Sequence, residues 1–525
     1  MAAPFVMLPQ GHCDTAAGRY HGAMQRFRHL PPKFIAVPLA ILLMAAAPVA
    51  TAPPDFETQF ASAVTLYDAG KAAEALPILD ALLAGADTPA DKGRIQQLRF
   101  FVLARLERVP EAREAIEVAV ANNPEPPPPI LAAQFKIRAF MGDFGPATDT
   151  LLLLAVTDPK ALDTLPTELV NSVIRAARDD QTRAFNIDYA LNTAGWSPPD
   201  MTIGDSDWLR LRLVAALVKQ DRIDDARPVL DAIRNPVALV RLGIDRRYAA
   251  LWPTIEQRLG PGADTADAVF VAETKARFDA APKSLIARMG YADALNVASR
   301  EAEAQKLTDV AKTPAELAAL GDRESWLVNL DAGLLADLGQ VDAALARLAA
   351  LAATPVNGRT GVLAAMVNRP LLALGFNRAD AAQAAIADAI AQGAGQTGYG
   401  QLMLTQARAC ALAQQGKMAE AITAAAPLTP AAGKIDAEQE DAWREALTCL
   451  GRGNDVAKIL IRRLGDPETR TEMLFELQPF LLADRPGTRD AKSKALLRTL
   501  KARPDVKAAY LAAGRDLPTA VAPPR

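Results

Sequence analysis

Six stretches of this chain read alike: GKAAEALPIL at 70–79, RVPEAREAIEVAV at 108–120, GDFGPATDTLLLL at 142–154, DRIDDARPVL at 221–230, GQVDAALARL at 339–348 and GKMAEAITAA at 416–425. Each begins with a turn residue, continues through a short polar stretch and reaches an Ala that opens an apolar helix. Glycine lets the backbone reverse direction, and alanine is the strongest helix former. The phrase is therefore the middle of a helix-turn-helix hairpin, and its recurrence describes an array of hairpins. An array of this kind suits binding better than catalysis.

The repeat is regular. The Ala that starts the second helix falls at Ala75, Ala112, Ala147, Ala184 and Ala226, and again at Ala304, Ala344, Ala382, Ala421 and Ala457. The steps are 37, 35, 37 and 42 residues, then 78, then 40, 38, 39 and 36. A steady period of this size is the mark of a helical solenoid, and the step of 78 spans one divergent unit. A lone hairpin cannot cover both of its apolar faces, so neighbours must stack, and stability propagates along the array.

The spacing resembles the tetratricopeptide repeat family, in which a small residue sits where the two helices cross. Gly70, Gly142, Gly339 and Gly416 each precede their Ala by five residues, while Pro124, Pro159, Pro236 and Pro355 fall near the ends of units. The large aromatic usual in the first helix is mostly replaced by Leu, Val or Ala, and the periods are longer than the family's. The resemblance covers about residues 55–464. It implies an all-α, right-handed α-solenoid whose concave face, built from first helices, holds a protein or peptide. Carried over position by position, it puts Tyr67, Phe101, Arg105, Lys136, Phe140, Trp208, Lys219 and Trp326 at or near that face. Packing between repeats is the other reading of each. The same register sets Cys410 and Cys449 in the first helices of adjacent hairpins. In an oxidising compartment they would be able to bridge; the alternative is two separate, half-buried small side chains.

Composition agrees with an all-α chain. Half of the 525 residues are apolar, yet only 5% are aromatic. A net charge of -3 with mixed signs offers no basic stripe for nucleic acid. Phe34 to Ala50 form an apolar run after Arg26, Arg28 and Lys33, followed by AAAPVATAPP. This pattern predicts a secretory signal within residues 1–52, with translation starting at Met24. The expected location is periplasmic. Pro48 and Pro53 sit awkwardly beside the small-residue cleavage patterns, so an uncleaved anchor in the inner membrane is the alternative. Loss of 1–52 would remove His12, His21 and His29, the only histidines, together with Cys13.

Several segments interrupt the array. NNPEPPPP at 122–129 reads as an extended loop, WSPPDMTIG at 196–204 and LGPGADT at 259–265 as further loops, and QGAGQTGYG at 392–400 as a flexible connector. Residues 236–282 read as an irregular helical joint between sub-arrays at 55–235 and 283–513, and 514–525 as a disordered tail.

Without histidine, the exported body has no Ser-His-Asp or Cys-His set, and its two cysteines are too few for structural zinc. No catalytic residue, metal site or cofactor is predicted. The rival reading is an envelope glycan-cleaving enzyme similar to lytic transglycosylases. It rests on Glu324-Ser325, which resembles the opening of their catalytic motif, and on GYGQLML from Gly398, although the gap between the two is far too long. The expectation is a non-enzymatic scaffold for a protein or peptide partner in the bacterial envelope, of the kind an assembly or export complex would use.

Overall fold

The computed structural model describes residues 54–517 except 397, 431–435 and 484–488. The predicted signal or anchor segment, the start at Met24 and the end of the tail lie outside the described residues. Among those described there is no strand, only an isolated antiparallel bridge between Asp245 and Gly514. Among the same residues, no helix is long and apolar enough to cross a membrane.

The chain forms two compact units that divide between Pro199 and Asp200, in the 196–204 loop. The first holds four hairpins: α1–α2 (Pro54–Asp68, Ala72–Ala84), α3–α4 (Pro89–Arg105, Val109–Ala121), α5–α6 (Pro128–Phe140, Phe144–Thr157) and α7–α8 (Thr167–Ala176, Gln181–Thr193). The second opens with α9–α10 (Asp207–Lys219, Ile223–Ala232) and continues through α11 (Pro236–Ile244), α12 (Trp252–Leu259) and α13 (Asp264–Ala280). The hairpins resume as α14–α15 (Leu285–Val297, Glu301–Thr308), followed by a short α16 (Pro314–Ala319), then α17–α18 (Asp322–Asp337, Val341–Ala352). Next come α19–α20 (Thr360–Gly375, Ala379–Ala391), α21–α22 (Gly398–Gln414, Met418–Ala425) and α23–α24 (Ala437–Cys449, Gly453–Gly465). Among the described residues three further helices follow: α25 (Arg470–Glu476), α26 (Ala491–Ala502) and α27 (Pro504–Ala513). This is an all-α, tetratricopeptide-like array, and each of its ten hairpins carries one of the ten alanines picked out by the repeat.

Apart from Ala184 and Ala457, those alanines are the crossing points. Ala75, Ala112, Ala147, Ala226, Ala304, Ala344, Ala382, Ala421 and Ala457 have no exposed surface. A methyl group is all that fits where the two backbones approach, and a larger side chain would overpack the contact by roughly 1–3 kcal/mol. Ala184 is only half-buried.

The turns share one geometry. Gly70, Glu107, Gly142, Asp221, Ser299, Gly339, Asn377 and Gly416 all have positive φ, each five residues before its Ala. In the last hairpin Gly451 takes that role, which puts Val456 in the register of the alanine, with Ala457 buried beside it. In every case the next residue's N–H donates to the carbonyl five residues back, as Lys71 to the Leu66 carbonyl and Gln340 to the Leu335 carbonyl. This is the Schellman closure, which satisfies carbonyls left over at the helix end. The exception is α7–α8, the hairpin with the half-buried alanine. There the Asp180 side chain accepts from the Arg183 N–H at 3.0 Å and caps α8 instead.

Three expectations about loops need correction. Pro128 and Pro129 do not continue an extended segment; they open α5, where the missing N–H costs nothing. Gly398 to Gly400 likewise belong to α21. Residues 236–282 lie inside the second unit, with 200–235 on the same side of the division. They make contacts with the end of the chain, so 514–517 are not a disordered tail: Leu517 is only 9% exposed.

Arginine satisfies the loops between hairpins. Arg359, itself buried, donates to the carbonyls of Leu317 and Leu320 and to the Thr354 hydroxyl. Arg347 serves Val310 and Ala311 in the same way, and Arg258 serves Leu230 and Ile233. A planar fork with five donors suits this task, and lysine's single ammonium does not.

Candidate partner-binding surface

First helices of successive hairpins pack directly on one another, α5 on α7 and, in the second unit, α14, α17, α19, α21 and α23 in turn. The structure divides the eight candidate binding residues among three situations.

Tyr67 and Phe101 are not surface anchors. They are 7% and 2% exposed, with ring centroids 6.4 Å apart, and belong to the core between α1 and α3. Tyr67 lies on the last turn of α1, where the next first helix closes over it, so its ring fills the space between the two hairpins. Burial raises the pKa of its phenol. Arg105 is exposed but engaged: its guanidinium lies 4.4 Å from the Tyr67 ring centroid and donates to the Tyr67 carbonyl at 2.6 Å.

Lys136, Phe140, Trp208 and Trp326 are half-buried. Burial pulls the Lys136 ammonium below its ordinary pKa. Arg212 stacks over the Trp208 ring at 4.9 Å, and Trp326 donates its indole N–H to the Thr360 hydroxyl at 3.1 Å. Lys219, in the last turn of α9, is exposed. Tyr67, Phe101 and Arg105 thus form one contact group, and Lys136 and Phe140 share α5 in the same unit. Trp208 and Lys219 stand at opposite ends of α9, roughly 16 Å apart at 1.5 Å per residue.

Further along the first-helix layer, a cavity of about 190 Å³ opens among α19, α21 and α23. Its wall carries Gln406, Gln414, Glu445 and a disulfide between Cys410 and Cys449, whose Cα atoms are 5.1 Å apart. Cys410 is fully buried and Cys449 half-buried. The segment 489–493 lies across this part of the layer, and the Asp490 N–H donates to the Gly375 carbonyl at 2.8 Å. Gly375 is glycine for that reason: a Cβ there would stand 2.5 Å from the Arg489 side chain.

Beside the cavity, Arg444 is buried on α23 and paired with Glu476 at 2.9 Å, with Glu445 at 3.3 Å and with Asp441. Burial works against its charge, but the surrounding carboxylates outweigh it and hold the guanidinium ionised. Burial also pushes Glu476 up to about 8, opposed by the attraction of Arg444. Neither this network nor Gly375 was picked out in the sequence; both depend on residues distant in the chain that no repeat phrase marks.

Glu324 has a structural task. Its carboxylate accepts the Gly321 N–H at 2.9 Å as the third residue of α17, and Ser325 is fully buried. The Glu-Ser pair that resembles a catalytic opening is a helix start, with Glu324 reaching back to the backbone N–H of the N-cap glycine.

No family model matches the chain, and no curated protein matches it. Among solved structures, it is similar to the Cut9–Hcn1 hetero-tetramer of APC/C, with 11% identity, a TM-score of 0.27, and coverage of 87% of this chain and 89% of that one. Naa15/Naa10 bound to HypK-THB aligns at 15% identity and a TM-score of 0.24, covering 87% and 82% respectively. At these scores the class of the protein, a tetratricopeptide-like helical array, rests on the hairpin geometry described above.

Proposed function

We propose that this protein is a non-enzymatic interaction scaffold that binds a protein or peptide partner along its first-helix layer. The observation that carries the reading is the layer itself. Crossing alanines and Schellman turns fix every hairpin except α7–α8, so within each unit the first helices present side chains at regular intervals over a surface far larger than a small-molecule site. Arg105 in the first unit, and Trp208 and Lys219 in the second, combine exposure or partial exposure with the residue types that anchor interfaces. The apolar run at 34–50 after three basic residues supports a setting in the bacterial envelope, with the array on the periplasmic side. The structural part played by Glu324 favours the scaffold over glycan cleavage.

The test is co-purification from the native host. A stoichiometric protein partner should be recovered with the wild type and lost with Trp208→Ala or Lys219→Glu, while circular dichroism stays unchanged. Release of muropeptides from peptidoglycan by the pure protein, without such a partner, would establish the enzyme instead.

A further inference from the structure

The irregular segment 236–259 receives residues 514–517. α11 packs on α25, and Arg241 pairs with Glu472 at 2.7 Å. Beyond α27, residues 514–517 run along the end of α11. The Arg515 N–H donates to the Ile244 carbonyl at 3.0 Å, and its Nε to the Gly243 carbonyl at 2.8 Å. The guanidinium lies 3.6 Å from the Trp252 ring centroid and reaches the Glu256 carboxylate at 2.6 Å. The fully buried Gln478 accepts the Leu517 N–H at 3.0 Å and donates to the Arg515 carbonyl at 3.1 Å.

Positions 514, 515 and 517 of the segment are each read by a different contact. At 514 only glycine fits, because a Cβ would stand 2.1 Å from the Ile244 carbonyl oxygen and 2.7 Å from Leu474. At 515 an aromatic face, a carboxylate and a carbonyl converge on a guanidinium, a set that lysine cannot fill. At 517 the leucine side chain lies over Gly243, where a Cβ would come within 3.1 Å of it. Asp516 is held from its own side by Lys501 and the Tyr510 hydroxyl, at 2.6 and 2.7 Å, and adds nothing to the reading by α11 and α12.

We propose that residues 242–256, with Gln478, form a peptide-docking site for an extended Gly-Arg-x-Leu segment. In this chain the site is filled by residues 514–517, which clasp the end of the array to α11. The site is separate from the first-helix layer and does not depend on the reading given for it. It also accounts for the departure of 236–259 from the hairpin register: these helices are shaped to hold the tail, not a next repeat.

The full-length chain allows the test. Arg515→Glu places a carboxylate against Glu256 and should empty the site. Amide exchange across 243–256 should then rise at least tenfold, and Glu256→Arg in the same chain should bring it back toward wild type. A labelled peptide of residues 511–519 should bind the Arg515→Glu protein at least tenfold more tightly than wild type, whose site is occupied, and the peptide carrying Arg515→Glu should bind neither. Unchanged exchange at 243–256, a double variant no better than Arg515→Glu, or a peptide that ignores the emptied site would each overturn the proposal. If Arg515→Glu fails to fold by circular dichroism, Leu517→Ala takes its place: exchange should still rise locally at 243–256, and no rise sinks the idea.

Discussion

The hairpin turns give a prediction in which backbone conformation alone decides the outcome. Gly339 has φ +79° with no atom within 4 Å of where a Cβ would stand, and Ser299 occupies the equivalent turn at φ 56°. Both lie in the second unit, and both close a helix through the same pair of hydrogen bonds. A left-handed conformation costs an L-residue roughly 1–2 kcal/mol, whereas glycine adopts it freely. Gly339→Ala should therefore destabilise by about 1 kcal/mol even though the methyl meets nothing. Ser299→Gly should recover part of the same strain, offset by the greater freedom of glycine in the unfolded chain, for a net gain of about 0.5 kcal/mol. Gly465 is the control: it has equally open surroundings without a positive φ, at the last position of α24. Gly465→Ala should stabilise by a few tenths of a kcal/mol up to about 1 kcal/mol. Urea unfolding of the three variants, followed by far-UV circular dichroism with m-values compared, separates the cases. A Gly339→Ala midpoint at or above that of Gly465→Ala would refute the assignment of these turns as strained left-handed closures.

Three other outcomes follow from the packing. Arg359→Ala leaves the Leu317 and Leu320 carbonyls without their donor and should cost about 2–4 kcal/mol, with Arg359→Lys recovering less than half, by chemical denaturation. Breaking the Cys410–Cys449 bridge with Cys449→Ser frees a loop closed over 39 residues and should lower stability by about 4 kcal/mol on chain-entropy grounds, seen as a lower thermal midpoint that reductant does not lower further. Burial, and then the negative charge of Asp205, pushes Asp293 up to about 7 from 3.8. The folded chain therefore keeps a proton that the unfolded chain releases. Its stabilising effect is complete below pH 4 and is lost as pH rises through 7, at up to ~1.4 kcal/mol per pH unit. Asp293→Asn should accordingly raise the thermal midpoint more at pH 8 than at pH 5.

What the sequence revealed followed from how local each feature is. The crossing alanines and turn glycines were legible because each hairpin solves its packing with residues five apart, and the solution recurs. Glu107, Ser299 and Asn377 take the same left-handed turn without announcing it, since only glycine carries that signal in its identity. Tyr67 and Phe101 left both a surface and a packed reading open because a repeat register fixes the helix and not the depth of a side chain; the next hairpin covers both, and packing is the outcome. The tail was misread for the opposite reason. Gly514 to Leu517 is short and polar, and what holds it comes from α11 and α12, more than 250 residues earlier. The disulfide lies between, since the register sets the two cysteines one repeat apart while only the packing of α21 on α23 brings the sulfurs together.

The most direct test of the account is site-specific photo-cross-linking in the native host. A photoreactive residue at Lys219 or Trp208, in the first-helix layer, should capture the same protein partner in stoichiometric yield, whereas the same probe at Val156, which is 82% exposed on the second helix α6, should capture none. Equal capture from both helix layers, or none from Lys219 and Trp208, would contradict the claim that the first helices are where this array binds.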